Sequence, residues 1–190
     1  MWKELTATWR DLPEEALVQP GACGPEWSVK DVMNHIAAWL EVTQRLVGET
    51  MRGNPATLGH GTDKFNALRY AEDKDRSLAA TRRRLSRARR ETLAFLATVP
   101  EELLLDVKGR AGWWIKYNTY GHYSMHVYEL TEFRVGVVVA DATARAGRGR
   151  SFKLTTTIPP TISREPAISR QSTTSPRKRM PRTKPMTGNT

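Results

Sequence analysis

The chain has 190 residues, 39% hydrophobic and 26% charged, with a formal net charge of +10. That charge belongs to one end: residues 145–190 carry eleven Lys and Arg against the single acid Glu165, while residues 1–144 balance nineteen bases with nineteen acids. The split excludes a basic, nucleic-acid-binding body. The apolar run Val135–Ala140 is far shorter than the roughly 20 residues that a membrane span needs, so no membrane role is expected.

Residues 2–18 place Leu5, Trp9, Leu12, Leu17 and Val18 at ragged helical spacing, with a break expected at Pro13. The segment from Gln19 to Pro25 reads as a loop from its proline and glycine content. It holds Cys23, which as the chain's one cysteine has no intramolecular disulfide partner. With an N-terminus that mixes charge and apolar residues from Met1 to Leu5, this points to the cytoplasm. A second helix starts at Ser28, which caps it with Asp31 as the reciprocal partner. Val32, His35, Trp39, Val42 and Leu46 follow on its inward face, and the helix ends near Gly48. Residues 48–62 read as a long loop.

A third helix is expected over residues 63–98, with Phe65, Leu68, Leu78, Leu85, Leu93, Phe95 and Leu96 inward. Its Arg82-Arg83-Arg84 and Arg87, Arg89 and Arg90 read as a solvated face, because the body is neutral. A turn opening a short helix follows at residues 99–104. The fourth helix is expected over residues 113–135, aligning Ile115, Thr119, His122, His126, Glu129 and Phe133. The remainder is rich in Ser, Thr and Pro and poor in large apolar residues. Such a stretch cannot bury enough surface to offset its ordering entropy. The expected organisation is therefore an all-α, four-helix up-down-up-down bundle over residues 1–140 and a disordered basic tail over 141–190. The tail would bind nucleic acid only nonspecifically, if it binds any.

Three of the four histidines carry the chemistry. His122 and His126 are one helical turn apart, and His35 sits seven residues past the cap of the second helix. If the second and fourth helices run parallel, the three imidazoles lie at one level. Three neutral imidazoles suit zinc, nickel, iron or copper, whereas any one of them alone would more often be a satisfied core histidine. Glu129, three residues after His126, is either an orienter of that ligand, a proton acceptor or an ordinary exposed carboxylate. Tyr120, Tyr123 and the pair Trp113-Trp114 either line a pocket or pack in the core or surface. Trp39 is expected in the core, and His60 in solvent. Cys23 becomes a further ligand only if its loop reaches the site.

The stretch Trp27-Ser28-Val29-Lys30-Asp31-Val32-Met33-Asn34-His35-Ile36-Ala37-Ala38-Trp39 resembles the second-helix signature of the DinB-like superfamily. The resemblance covers about residues 1–135. It implies a four-helix bundle, often dimeric, that holds a divalent metal, commonly zinc or nickel. Its ligands are one histidine on helix 2 and a histidine pair on helix 4, which His35, His122 and His126 match. The superfamily includes thiol S-transferases that use bacillithiol and a mycothiol-dependent isomerase. The resemblance thus implies a metal-dependent thiol transferase or hydrolase acting on an electrophilic small molecule, with mycothiol or bacillithiol as a further cofactor. Trp2, Leu5 and the stretch from Phe65 to Arg82 also resemble the ClbS/DfsB group, in which the histidine triad is not general. That implies the alternative of a non-metal protective protein or a non-catalytic small-molecule-binding bundle.

Overall fold

The computed structural model describes residues 1–54 and 56–148. The first segment is α1 (Trp2–Ala7) and α2 (Glu14–Leu17), parted where expected: Pro13 is extended and caps α2. The expected loop that follows forms a small antiparallel hairpin, β1 (Pro20–Cys23) and β2 (Trp27–Ser28), pairing Pro20 with Ser28 and Cys23 with Trp27. Gly21 (φ 106°) and Gly24 (φ 69°) supply the left-handed backbone for this reversal. Strands this short leave no alternation to read in the sequence. The hairpin matters because it holds Cys23 and Trp27 beside the helices.

The central helix is α3 (Val29–Met51). Its capping box is formed: Ser28 Oγ accepts from the Asp31 amide at 3.2 Å, and the Asp31 carboxylate accepts from the Ser28 amide at 2.9 Å. Beyond one inward stripe, α3 buries Val32, Met33, Ile36, Leu40, Leu46 and Val47 almost completely, because other elements cover it on several sides.

The helix expected over 63–98 is two helices, α4 (Thr62–Asp73) and α5 (Leu78–Leu96). Ser77 restarts the chain by accepting from the Ala80 amide at 3.2 Å. Arg84 fixes the break. It is 8% exposed, pairs with Asp73 at the end of α4, and reaches Glu41 of α3 at 2.7 Å. The arginine cluster is therefore not uniformly a solvated face. Arg84 is a buried tie between three helices, and Arg89 lies over the Trp2 ring at 4.5 Å; Arg82 keeps the exposed character expected of it, paired to Glu14 at 2.5 Å.

After the short α6 (Glu101–Leu105), the expected fourth helix also divides, into α7 (Arg110–Asn118) and α8 (Tyr120–Arg148). Thr119 leaves helical geometry at φ −121°, ψ −110°. Gly121 permits the break, since a Cβ there would lie 2.7 Å from the Lys116 carbonyl oxygen. α8 continues well past the expected end at 135, and its last turns occupy residues 141–148 of the stretch read as tail. The rest of that stretch, 149–190, lies outside the described residues. Among the described residues, no helix is long and apolar enough to cross a membrane.

Among the described residues the architecture is thus helical apart from one hairpin, with a core that joins α1, α2, α3, α5 and α8 through Leu5, Leu17, Ile36, Leu85 and Leu130. Removing one partner of a buried ion pair strands the other charge, at about 3–5 kcal/mol, whereas an exposed pair contributes about 0–1 kcal/mol. Arg84→Ala should therefore lower unfolding stability by about 3–5 kcal/mol and Arg82→Ala by less than about 1 kcal/mol. Urea titration of both variants checks this; equal effects would contradict it.

Candidate metal centre

Two helices deliver the three histidines. His35 lies on α3, and His122 and His126 lie in the first two turns of α8, so the helix break at Thr119 sets the position of the pair. The Nε2 atoms of His35 and His122 are 2.9 Å apart, and those of His126 and His122 3.1 Å apart. All three side chains are 6–9% exposed. The structure thus brings together the three residues read as ligands. It does so with His122 near a helix start, not nine residues into a continuous helix.

The proton inventory of this cluster does not close. Glu129 accepts a hydrogen bond from His126 Nδ1–H at 3.1 Å, so His126 Nε2 presents a lone pair. A single proton on His122 Nε2 cannot point squarely along both short contacts. The Nδ1 atoms of His35 and His122 are buried with no partner among the described residues. A divalent cation between the Nε2 atoms removes the conflict, and the spacing fits one. Donors held about 2.0–2.1 Å from a zinc-sized ion stand about 2.8–3.4 Å apart, for bond angles between about 90° and 110°. Burial pushes His35 down to about 2 and His122 to about 3, with the neighbouring imidazoles adding to both. Burial also lowers His126, opposed by Glu129. All three are therefore the neutral donors a metal needs.

Behind His126 lies a second layer. Cys23 Sγ donates to the same Glu129 oxygen at 3.1 Å. Burial, and then Glu129, push the thiol up to about 12, so Cys23 is a protonated thiol and not a nucleophile. The hairpin does bring Cys23 to the site, on the outer nitrogen side of His126. Glu129 itself is half exposed and touches His126 from behind.

The histidines open onto a cleft of about 450 Å³. Trp27 packs edge-on to His35 at 5.1 Å and stacks on Tyr70 at 5.3 Å. Trp39 is buried as expected, its Nε1 donating to Asn66 Oδ1 at 3.0 Å. Trp113, Trp114 and Tyr117 form the opposite wall. Tyr120 and Tyr123 do not line this cleft; Tyr123 packs against Trp2 at 5.3 Å instead. His60 is exposed. Sequence reasoning missed Trp27 and Asn118 as cleft residues. Trp27 stands next to the helix cap, where no periodicity assigns a face. Asn118 faces the cleft because the helix breaks immediately after it.

A family model described as the DinB superfamily matches residues 1–133. Among solved structures, an uncharacterised protein from Escherichia coli UTI89 is similar, with 17% sequence identity and a TM-score of 0.59. The match covers 71% of this chain and 87% of that one. It is a likeness of fold. No curated protein sequence gives a significant match.

Two outcomes follow from the cluster's burial. In metal-free protein the folded imidazoles titrate below their ordinary value of about 6.5. Their stabilising contribution is thus complete above about pH 6.5 and is lost as pH falls towards the folded values. Urea stability of the metal-free protein should fall by about 1 kcal/mol per pH unit or more between pH 6 and pH 5. A flat profile would show the imidazoles to be freely hydrated. Separately, Gly121→Ala should displace the first turn of α8, shifting the histidine-ring NMR signals of His122 and His126, while Gly136→Ala, where the added carbon meets nothing within 4 Å, should not.

Proposed function

This chain belongs to the DinB superfamily, and from that premise we propose that His35, His122 and His126 hold a divalent metal, zinc or nickel. In this reading the protein is a metal-dependent thiol S-transferase or hydrolase acting on an electrophilic small molecule, with a low-molecular-weight thiol such as mycothiol or bacillithiol as co-substrate. The segments α1–α2, α3, α4–α5 and α7–α8 are then the four arms of the superfamily's up-down bundle. The observation that carries the proposal is the convergence of three neutral, buried Nε2 atoms at the floor of an aromatic cleft.

A divalent cation at this position supplies a fixed positive charge that lowers the pKa of a water or thiol reaching it. The chain's own residues do the rest. Glu129 holds the Nδ1–H tautomer of His126 and keeps its Nε2 lone pair directed at the other two nitrogens. Trp27 limits the swing of His35 from one side, and the Asn66 contact fixes Trp39 on the other. Trp113 and Trp114, packed edge to face with their rings 85° apart, offer an apolar wall that excludes water from the reacting end of a ligand. Cys23 stays protonated and leaves the attacking thiol to come from outside.

Purified protein should contain about one equivalent of zinc or nickel by mass spectrometry, and His35→Ala should lose it while remaining folded. Glu129→Gln keeps a side-chain acceptor but removes the charge, and should weaken metal affinity about 10–100-fold. Metal-free native protein, or metal retained by His35→Ala, contradicts the proposal.

A further inference from the structure

The cleft above the histidines does not end at its tryptophan wall. Thr62, Trp113 and Trp114 are shared with an adjoining compartment of about 490 Å³, into which Lys108, Arg110 and His60 face. Arg110 is fixed there, donating through Nε (3.1 Å) and Nη2 (2.7 Å) to the Ala56 carbonyl oxygen. Among the described residues, neither Lys108 nor Arg110 pairs with a carboxylate, and no aspartate or glutamate lines either compartment. The nearest acid in sequence, Asp106, spends one oxygen on the Lys108 and Gly109 amides. Two buried donors beside the cleft have no acceptor among the described residues: Trp114 Nε1, on the shared wall, and Asn118 Nδ2, on the histidine side. Each such group costs about 1–3 kcal/mol, which an acceptor oxygen in the cleft offsets once the side chain turns towards it.

A cleft with cations at one end, orphan donors along its side and three metal-ligating imidazoles at the other selects for negative charge and acceptor oxygens. We propose that this two-compartment cleft binds an elongated anionic molecule, with its oxyanion group (carboxylate, sulfonate or phosphate) at Lys108 and Arg110. Its flat apolar body lies against Trp113 and Trp114, and its reacting end faces His35, His122 and His126. This inference rests on the reading of the cleft as the substrate site, and names the class of substrate that site takes.

The test uses two dyes that share a flat aromatic body, anilinonaphthalene sulfonate and the uncharged N-phenylnaphthylamine, read by energy transfer from the cleft tryptophans. It uses the full chain without metal, so the outcome does not depend on what the histidines hold; zinc uptake, measured separately, reports on that. The sulfonate dye should bind about tenfold tighter than the neutral one or better. That preference should collapse in the Lys108→Gln/Arg110→Gln double variant while neutral-dye binding is kept, and Trp113→Ala should weaken both dyes. The basic segment beyond residue 148 is common to all the proteins compared, so its attraction for sulfonate cancels in the change of preference between wild type and double variant, which is the deciding quantity. Equal affinity for the two dyes in the wild type, a preference that persists in the double variant, or no binding of the sulfonate dye each overturns the proposal.

Discussion

Three largely buried imidazoles, with His122 Nε2 2.9 Å from that of His35 and 3.1 Å from that of His126, set the terms for the rest of this molecule. Protons alone do not satisfy them, because the His126 tautomer is already fixed by Glu129 and His122 has one Nε2 position facing two neighbours. Burial prevents a retreat into the charged form, since imidazolium in this environment has neither water nor enough carboxylate to balance it. A folded chain that keeps such a cluster needs rigid walls around it. Trp27 and Trp39 pack against the rings, while the capping box fixes the start of α3, Arg84 ties α3 to α4 and α5, and the close approach at Gly121 sets the first turn of α8.

The same features show what sequence reading can and cannot reach. The start of α3 was legible because Ser28 and Asp31 form a local signature that tertiary contacts do not alter. The histidine pair was legible because one helical turn separates its members, and His35 because it falls on the apolar stripe of α3. The two helix breaks differ in this respect. The first falls in the wholly polar run Glu72–Ser77, with Ser77 as a cap-type residue, a signal that reading one long helix passes over; Arg84, eleven residues past Asp73, then ties the end of α4 towards α3. At Thr119 the break was not legible, because the close approach to the Lys116 carbonyl that only a glycine at 121 permits appears only once the backbone has turned. Expecting a continuous fourth helix still placed the histidines together, because α3 and α8 meet at the level of His35 whichever way the preceding turn is built.

The cleft explains why the hairpin and α7 surround the site at all. A bare histidine cluster on two helices would bind metal from solvent and leave any bound ligand wet. Trp27 from the hairpin and the Trp113-Trp114 pair from α7 convert it into a desolvated end of a longer groove. Electrostatics then follow from placement: the body is neutral as a whole, yet the acids are kept off this groove. Neutral composition and a locally positive site are compatible because charge acts over about 8–10 Å at physiological ionic strength.

The measurement that bears most directly on the histidine cluster is X-ray absorption at the zinc edge, recorded on the zinc-loaded full chain. Three imidazole scatterers at about 2.0–2.1 Å are expected, falling to two in His122→Ala. A spectrum with one imidazole or none around the bound zinc would contradict a three-histidine site.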